Sequence, residues 1–222
     1  MDNFTLGITG IISLIVLLFF NVPVAFAMAI VGFIGFANII GITPGLRLLA
    51  VDAWSVFSNY NLTVIPLFIL MGQIAFYTGI SKKLYKTAFT WLGHLPGGLA
   101  IATVAACAGF SAICGSTNAT AATMAAVTIP EMRRYKYDRR LAAGTVAAAG
   151  SLGILIPPSV IFIIYGILTG ESIGKLFAAG IIPGILLSFL FVLAILLQVK
   201  INPDLAPAGE KTTFKEKLDS LK

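Results

Sequence analysis

The sequence predicts an all-α, polytopic membrane protein with a re-entrant helical hairpin and a discontinuous transmembrane helix. Of its 222 residues, 58% are hydrophobic and 11% are charged, whereas soluble domains carry about 25% charged residues. Residues 98–130 form a block without any charge, which is longer than the ~20 residues that one straight span needs. A second apolar block, 141–168, contains two consecutive prolines, which interrupt a helix.

The pattern of apolar and amphipathic segments in residues 1–97 predicts scaffold helices and an interfacial arm helix. The apolar runs 4–20, 22–40 and 62–80 predict spans, because each approaches the length of the hydrocarbon core. Between them, 42–61 mixes charges and aromatic residues with apolar ones, and 81–95 is basic and amphipathic. Both patterns are typical of helices that lie along the membrane surface.

Residues 98–170 predict a transport-type region. The hairpin, 98–130, has a polar centre at 114–120, where Ser116 or Asn118 can cap the returning helix. Non-helical backbone at membrane depth requires protein or a wet cavity around it. The broken helix, 141–168, is interrupted within 150–159.

The C-terminal part predicts a short amphipathic helix over 171–181, a last span over 183–199, and a polar cytoplasmic tail over 201–222. We expect the first span to be retained, because no basic residue precedes it, unlike in a signal peptide.

The distribution of basic residues predicts the orientation. With the N-terminus outside and five crossings, 13 of the 15 Lys and Arg residues are cytoplasmic and only Arg47 and Lys175 are not, as the positive-inside rule requires. This holds only if 98–130 makes no net crossing. The basic residues at 133–140 then fix the orientation of the chain in the membrane or, alternatively, contact an anionic lipid or a partner. This placement at the bilayer argues against nucleic acid as a partner.

The composition limits the chemistry. One His and two Cys argue against a multi-His metal site, a catalytic triad and a disulfide scaffold, and the sequence has no P-loop. We therefore expect no enzyme and no cofactor.

Broken helices expose backbone amides and carbonyls that can hold ions at membrane depth. Hydroxyl and amide groups of Ser116, Thr117 and Asn118 add neutral oxygens, and Gly115 permits a close backbone approach. The sequence thus predicts a Na⁺ site. Two alternatives stay open: a non-transporting scaffold, in which small residues serve packing, and a channel subunit.

The motifs at 66–72, 109–124, 150–159 and 180–184 closely resemble the large membrane subunit of tripartite ATP-independent periplasmic (TRAP) transporters. The resemblance implies the bacterial or archaeal inner membrane, and sodium-driven uptake of organic acids such as C4-dicarboxylates or sugar acids by an elevator movement. It also implies a periplasmic solute-binding protein and a small four-helix membrane subunit as partners.

The resemblance further implies one half of an inverted repeat, because the family's large subunit is about twice as long, and we expect a second half as a missing partner. It places a sodium site at Ser111, Gly115, Ser116, Thr117, Asn118, Gly150, Ser151, Gly153 and Pro157. It leads us to expect substrate contacts at Asn118, Thr120, Pro158 and Ser159.

Overall fold

A computed structural model describes residues 3–207 and 214–220. Every regular element within these ranges is helical. Of the predicted tail, 201–222, residues 208–213 and 221–222 lie outside the described residues, as do residues 1–2. The chain divides into two compact units, residues 1–60 and 61–222.

The first unit consists of three consecutive helices, α1 (Asn3–Phe19), α2 (Val24–Ile40) and α3 (Ile42–Phe57). α1 packs on α2, and α2 packs on α3. The break between α1 and α2 lies at the predicted place, because Asn21 adopts a left-handed φ of 60° and Pro23 follows. Gly41, with φ of 103°, separates α2 from α3.

The second unit begins within a 3₁₀ turn (Tyr60–Thr63) and continues with α4 (Val64–Tyr77) and α5 (Ile80–Leu92). α4 and α5 are bent by 64° at the residues between them, where Gly79 has a left-handed φ of 76°. Within the predicted span 62–80, the α-helix covers only 14 residues, because the 3₁₀ turn occupies the start of the span and Gly79 ends the helix before residue 80.

The predicted hairpin consists of α6 (Gly98–Cys114) and α7 (Thr117–Arg134). α6 is the central helix of this unit and packs against α4, α5 and α7, and against later helices within residues 139–155 and 173–201. Its Phe110 and Leu99 are among the largest fully buried side chains. Burial of this central, largely apolar helix supplies the main hydrophobic contribution to the unit.

The two outer ends of the hairpin meet. The Leu99 amide donates a hydrogen bond to the Tyr137 hydroxyl at 3.2 Å, and the Tyr137 amide donates to the Met132 carbonyl at 3.0 Å. Burial raises the pKa of Tyr137 above its ordinary value, and the hydrogen bond from Leu99 opposes this rise. The phenol is therefore neutral at physiological pH and joins the start of α6 to the segment that follows α7.

The predicted broken helix consists of α8 (Arg139–Gly150), α9 (Leu152–Leu155) and α10 (Val160–Thr169). The interruption at the two prolines is confirmed, and the Pro157–Pro158 peptide bond is cis.

The expected separation of an amphipathic helix, 171–181, from a last span, 183–199, is wrong. A single helix, α11 (Ile173–Ile201), covers both segments. Glu171 precedes the helix, so Lys175 is its only charge before Lys200, and nothing makes its first part amphipathic. Pro183 removes one backbone donor, and the helix continues past it.

The described part of the tail contains a 3₁₀ turn (Pro203–Leu205) and α12 (Phe214–Asp219). α12 packs on α5. The Trp91 indole donates a hydrogen bond to the Lys217 carbonyl at 3.2 Å, and the Thr87 hydroxyl donates to the Ser220 carbonyl at 2.6 Å.

Two described segments, Arg139–Thr169 and Ile173–Ile201, are long and apolar enough to cross a membrane, and the bent pair α4–α5 makes a third if it is one span. Three further apolar helices are shorter, namely Phe4–Phe19, Val24–Ile40 and Gly98–Cys114. The predicted five crossings use the first two of these, whose lengths of 16 and 17 residues lie near the lower limit for a span.

Candidate functional site

The hairpin tip, residues 115–117, is a tight connection between α6 and α7. Gly115 ends α6 in the left-handed conformation with φ of 63°, and Ser116 is extended and caps α7. The Ser116 hydroxyl accepts a hydrogen bond from the Ala119 amide at 3.5 Å. Of the two capping residues that the sequence suggested, the structure therefore uses Ser116, because the chain leaves the helix immediately before it.

The break, residues 156–159, separates α9 from α10. Ser159 is fully buried and caps α10, with its hydroxyl donating to the Ile154 carbonyl at 2.7 Å and accepting from the Phe162 amide at 3.5 Å. These two bonds hold the ends of both half-helices at one point.

The tip and the break are in direct contact. The Val160 amide donates a hydrogen bond to the Gly115 carbonyl at 3.5 Å. A Cβ atom on Gly115 would lie 2.5 Å from the Pro158 carbonyl oxygen, and one on Gly153 would lie 2.7 Å from the Ser116 carbonyl. Glycine is therefore the residue that permits both approaches.

A third glycine extends this contact along the hairpin. A Cβ atom on Gly150, the last residue of α8, would lie 2.7 Å from the Ala121 Cβ atom. Because α9 and the break meet the tip and the end of α8 meets the first turns of α7, the structure brings together six residues that the sequence singled out: Gly115, Ser116, Thr117, Gly150, Gly153 and Pro158.

Three hydroxyls near the tip, called here the orphan hydroxyls, are buried and have no hydrogen-bond partner among the oxygen and nitrogen atoms of the described residues: Ser111 Oγ, Thr117 Oγ1 and Thr120 Oγ1. Thr120 Oγ1 lies beside the Cys114 sulfur, which is a weak acceptor. A buried hydroxyl without a partner costs about 1–3 kcal/mol. Such an atom is therefore a candidate ligand for an ion or a water molecule.

The remaining predicted residues contribute differently. Asn118 is exposed, so its amide faces away from the packed interior. The Ser151 hydroxyl donates to the Ala148 carbonyl at 2.7 Å and retains an oxygen lone pair. Pro157 is half-buried in the break, where its ring removes one backbone donor.

A cavity of about 430 Å³ adjoins the tip, with Ser116 and Cys114 in its wall. Gly72, Gln73 and Thr123 line it too, and the sequence analysis did not select these three as site residues. The available signal was an amide, Gln73, within the apolar helix α4. A Cβ atom on Gly72 would lie 3.1 Å from the Cys114 sulfur, so this glycine lets α4 approach the end of α6.

The arrangement offers neutral oxygens from hydroxyls and carbonyls at the meeting point of two helix interruptions. Hard monovalent cations are bound by such oxygens in membrane carriers, and half-helix N-termini favour anions. Both α7 and α10 begin at this point, so two helix N-termini lie there.

Comparison with known proteins is consistent with this architecture. A sequence model of the family described as "Tripartite ATP-independent periplasmic transporter, DctM component" matches residues 11–220. The C4-dicarboxylate TRAP transporter large permease protein DctM of Pseudomonas aeruginosa is 37% identical over 192 residues, which are 86% of this chain and 44% of that protein.

The names of two further relatives specify different substrates. The isethionate TRAP transporter permease protein DctMQ of Oleidesulfovibrio alaskensis is 43% identical over 134 residues, which are 60% of this chain and 21% of that protein. The ectoine TRAP transporter large permease protein TeaC of Halomonas elongata is 29% identical over 210 residues, which are 95% of this chain and 49% of that protein.

The chain therefore spans less than half the length of these relatives. The matched portion is the N-terminal part of the large subunit, and the relatives and apolar helices indicate a bacterial membrane protein. The family model covers nearly the whole chain, and the Pseudomonas relative is similar over most of it. This chain belongs to the DctM component family of tripartite ATP-independent periplasmic transporters.

Proposed function

We propose that this chain forms one half of the membrane permease of a sodium-coupled secondary transporter that imports organic acids, such as C4-dicarboxylates or sugar acids, by an elevator movement. In this proposal, a periplasmic solute-binding protein delivers the substrate, and a small four-helix membrane subunit supports the permease. The N-terminus lies outside and the C-terminus in the cytoplasm of a bacterium or archaeon.

The observation that carries the proposal is the contact between tip and break, with the orphan hydroxyls around it. Gly115 and Gly153 bring backbone carbonyls of two interrupted helices together. Ser111, near the end of α6, and Thr117, in the tip, add buried hydroxyls that have no partner among the described residues. The proposed Na⁺ ligands are these hydroxyls and the neighbouring carbonyls. The exposed Asn118 is assigned to the substrate side instead.

The meeting of the hairpin's outer ends supports re-entrance. The hydrogen bond from the Leu99 amide to the Tyr137 hydroxyl requires the two ends of the hairpin to lie together. In a bilayer, this favours entry and exit through the same face, as the charge distribution independently predicts.

The substrate class rests on the relatives. Their names specify C4-dicarboxylates, 2,3-diketo-L-gulonate, isethionate and ectoine. Two half-helix N-termini beside the tip, those of α7 and α10, supply the amides that favour a carboxylate without requiring an arginine.

Sodium-dependent uptake by the complete transport system tests the proposal. We expect Ser111→Ala to raise the sodium concentration for half-maximal uptake at least about five-fold, because one ion–oxygen contact of about 1 kcal/mol is lost. Thr128→Val is the matched control. Its hydroxyl is likewise buried without a partner in the described part of the chain, but it lies near the other end of α7. Equal sodium dependence of the wild type and Ser111→Ala would contradict the proposed site.

A static membrane scaffold is the second candidate, because tight glycine contacts such as Gly150 against Ala121 are also what permanent helix packing uses. Thr117→Cys distinguishes the two. A sodium-accessible tip predicts reaction with a water-soluble thiol reagent and protection by sodium. A static scaffold predicts no reaction, as expected for Thr128→Cys in either case.

A further inference from the structure

A groove of about 400 Å³ runs between α8 and α11. One stripe of each helix lines it: Arg140, Gly144 and Ala148 from α8, and Phe191 and Gln198 from α11. These residues repeat at helical spacing, so each stripe follows one face along the helix axis. The groove is thus polar at the end of Arg140 and Gln198 and apolar at the end of Ala148 and Phe191.

The polar end of the groove lies at the ends of the two membrane-length segments. Arg140 is the second residue of Arg139–Thr169, and Gln198 is in the last turn of Ile173–Ile201. Ala148 and Phe191 lie eight and seven residues farther in, or about 10–12 Å along the helix axes. The groove therefore extends from headgroup depth to hydrocarbon depth.

The polar end carries an arginine side chain, Arg140. Arg140 is exposed, follows Arg139, and forms no ion pair with any residue that the structure describes. Asp138, which also lines this end of the groove, is the cap of α8, because one of its oxygens accepts hydrogen bonds from the Arg140 and Leu141 amides at 2.8 and 3.1 Å. The Arg140 guanidinium remains available to an anion.

The apolar end is open enough for a hydrocarbon chain. A Cβ atom on Gly144 would meet nothing within 4 Å, so this glycine leaves space in the middle of the groove. Small side chains on α8 face Phe191 and Ile195 on α11. This shape suits an acyl chain better than a polypeptide backbone, which would need partners for its polar groups.

We propose that the α8–α11 groove binds one anionic phospholipid, with its phosphate against Arg140 and Gln198 and an acyl chain along Gly144 towards Phe191. Charge complementarity selects the occupant, because basic pockets between membrane helices bind lipid headgroups and a guanidinium forms paired hydrogen bonds with phosphate. The inference rests on the membrane location of the chain and is independent of the proposed sodium site.

Native mass spectrometry tests this assignment. The chain is purified from its membrane in mild detergent, with the partners that copurify, and titrated with phosphatidylglycerol or with phosphatidylcholine of the same acyl chains. We expect one phosphatidylglycerol to bind more tightly than phosphatidylcholine. Arg140→Gln should weaken phosphatidylglycerol binding about five-fold and leave phosphatidylcholine binding unchanged.

Gly144→Leu fills the groove and should reduce phosphatidylglycerol binding at least about ten-fold. Ala147→Leu, at an exposed position of the same helix outside the groove, is the matched control and should bind like the wild type. Thermal stability is recorded for each variant. Should Gly144→Leu fail to fold, Arg140→Gln still decides the question, because its side chain is exposed.

Two results would overturn the assignment. One is equal phosphatidylglycerol affinity of Arg140→Gln and the wild type, whatever Gly144→Leu shows. The other is release of a copurifying polypeptide by Gly144→Leu with an unchanged number of bound lipids, which would show that a protein partner fills the groove.

Discussion

Two structural features require a glycine at position 115. Its left-handed φ of 63° disfavours any side chain, and its missing Cβ atom leaves room for the Pro158 carbonyl. The first requirement is local to the turn, whereas the second concerns the contact between hairpin and broken helix. Substitutions can separate the two.

Gly115→Ala should destabilise the protein by about 1–2 kcal/mol from backbone strain and by a further 1–3 kcal/mol from the clash with Pro158. Gly170→Ala is the control, because Gly170 has a similar φ of 72° and nothing within 4 Å of its Cβ position. We expect thermal unfolding to show a small loss for Gly170→Ala and a larger one for Gly115→Ala, with uptake lost only in the latter. Equal losses of stability would refute a contribution from the Pro158 contact.

The orphan hydroxyl of Thr117 gives a second prediction at this scale. Removing a buried hydroxyl that lacks a partner relieves an energetic cost, so Thr117→Val should be as stable as the wild type, or more stable, in choline chloride. In sodium chloride, the wild type should gain thermal stability by ligand binding and Thr117→Val should gain less. Thr128→Val, measured under both conditions, should retain the full sodium effect. A full sodium effect in Thr117→Val would exclude this hydroxyl as a ligand.

Some of the site residues were predictable from local sequence, and others were not. Ser116 was one of two caps that the polar centre of an uncharged block offered, the other being Asn118, and the structure uses Ser116. Gly72 and Gln73 were missed as site residues because their importance depends on α4 lying against Cys114, which is a contact between distant parts of the sequence.

The broken helix is the element on which the site depends most. Ser159 holds the last turn before the break to the first turn after it, through its bonds to Ile154 and Phe162. A buried cap of this kind contributes more than an ordinary hydroxyl within a helix, because its loss leaves backbone groups unpaired.

Ser159→Ala should therefore cost about 1–2 kcal/mol of stability. Ser188→Ala is the control, because the Ser188 hydroxyl donates to the Gly184 carbonyl within one helix and its removal should cost under about 0.5 kcal/mol. The midpoint of thermal unfolding in detergent measures both. A destabilisation by Ser159→Ala no greater than that by Ser188→Ala would show that the break is held by other contacts.

Among the helices, the sequence predicted an interruption correctly but did not predict where a helix continues. Two adjacent prolines at 157–158 predicted the break correctly, whereas the single Pro183 did not divide α11. The difference lies in packing. Cβ atoms at Gly180 and Gly184 would lie 2.7 Å from the Leu155 carbonyl and 2.8 Å from Ile156, so close contacts on both sides of Pro183 support the helix, which no local pattern reveals.

For the whole molecule, the hydrogen bond between Leu99 and Tyr137 and the charge distribution predict one topology. Single cysteines at His94 and Lys136, both exposed, should lie on the cytoplasmic side. An impermeant thiol reagent should label neither in intact cells and both after permeabilisation. Arg47→Cys, predicted to lie outside, should react in intact cells. Labelling of only one of the two hairpin positions from outside would contradict a re-entrant hairpin.

The interlocked tip and break have a mechanical consequence. Since Gly115 and Gly153 place backbone against backbone, the hairpin cannot shift relative to the broken helix without separating these surfaces. In the proposed elevator movement, the hairpin and the broken helix must therefore move together as one rigid unit. The hinges of that movement then belong outside the tip and the break.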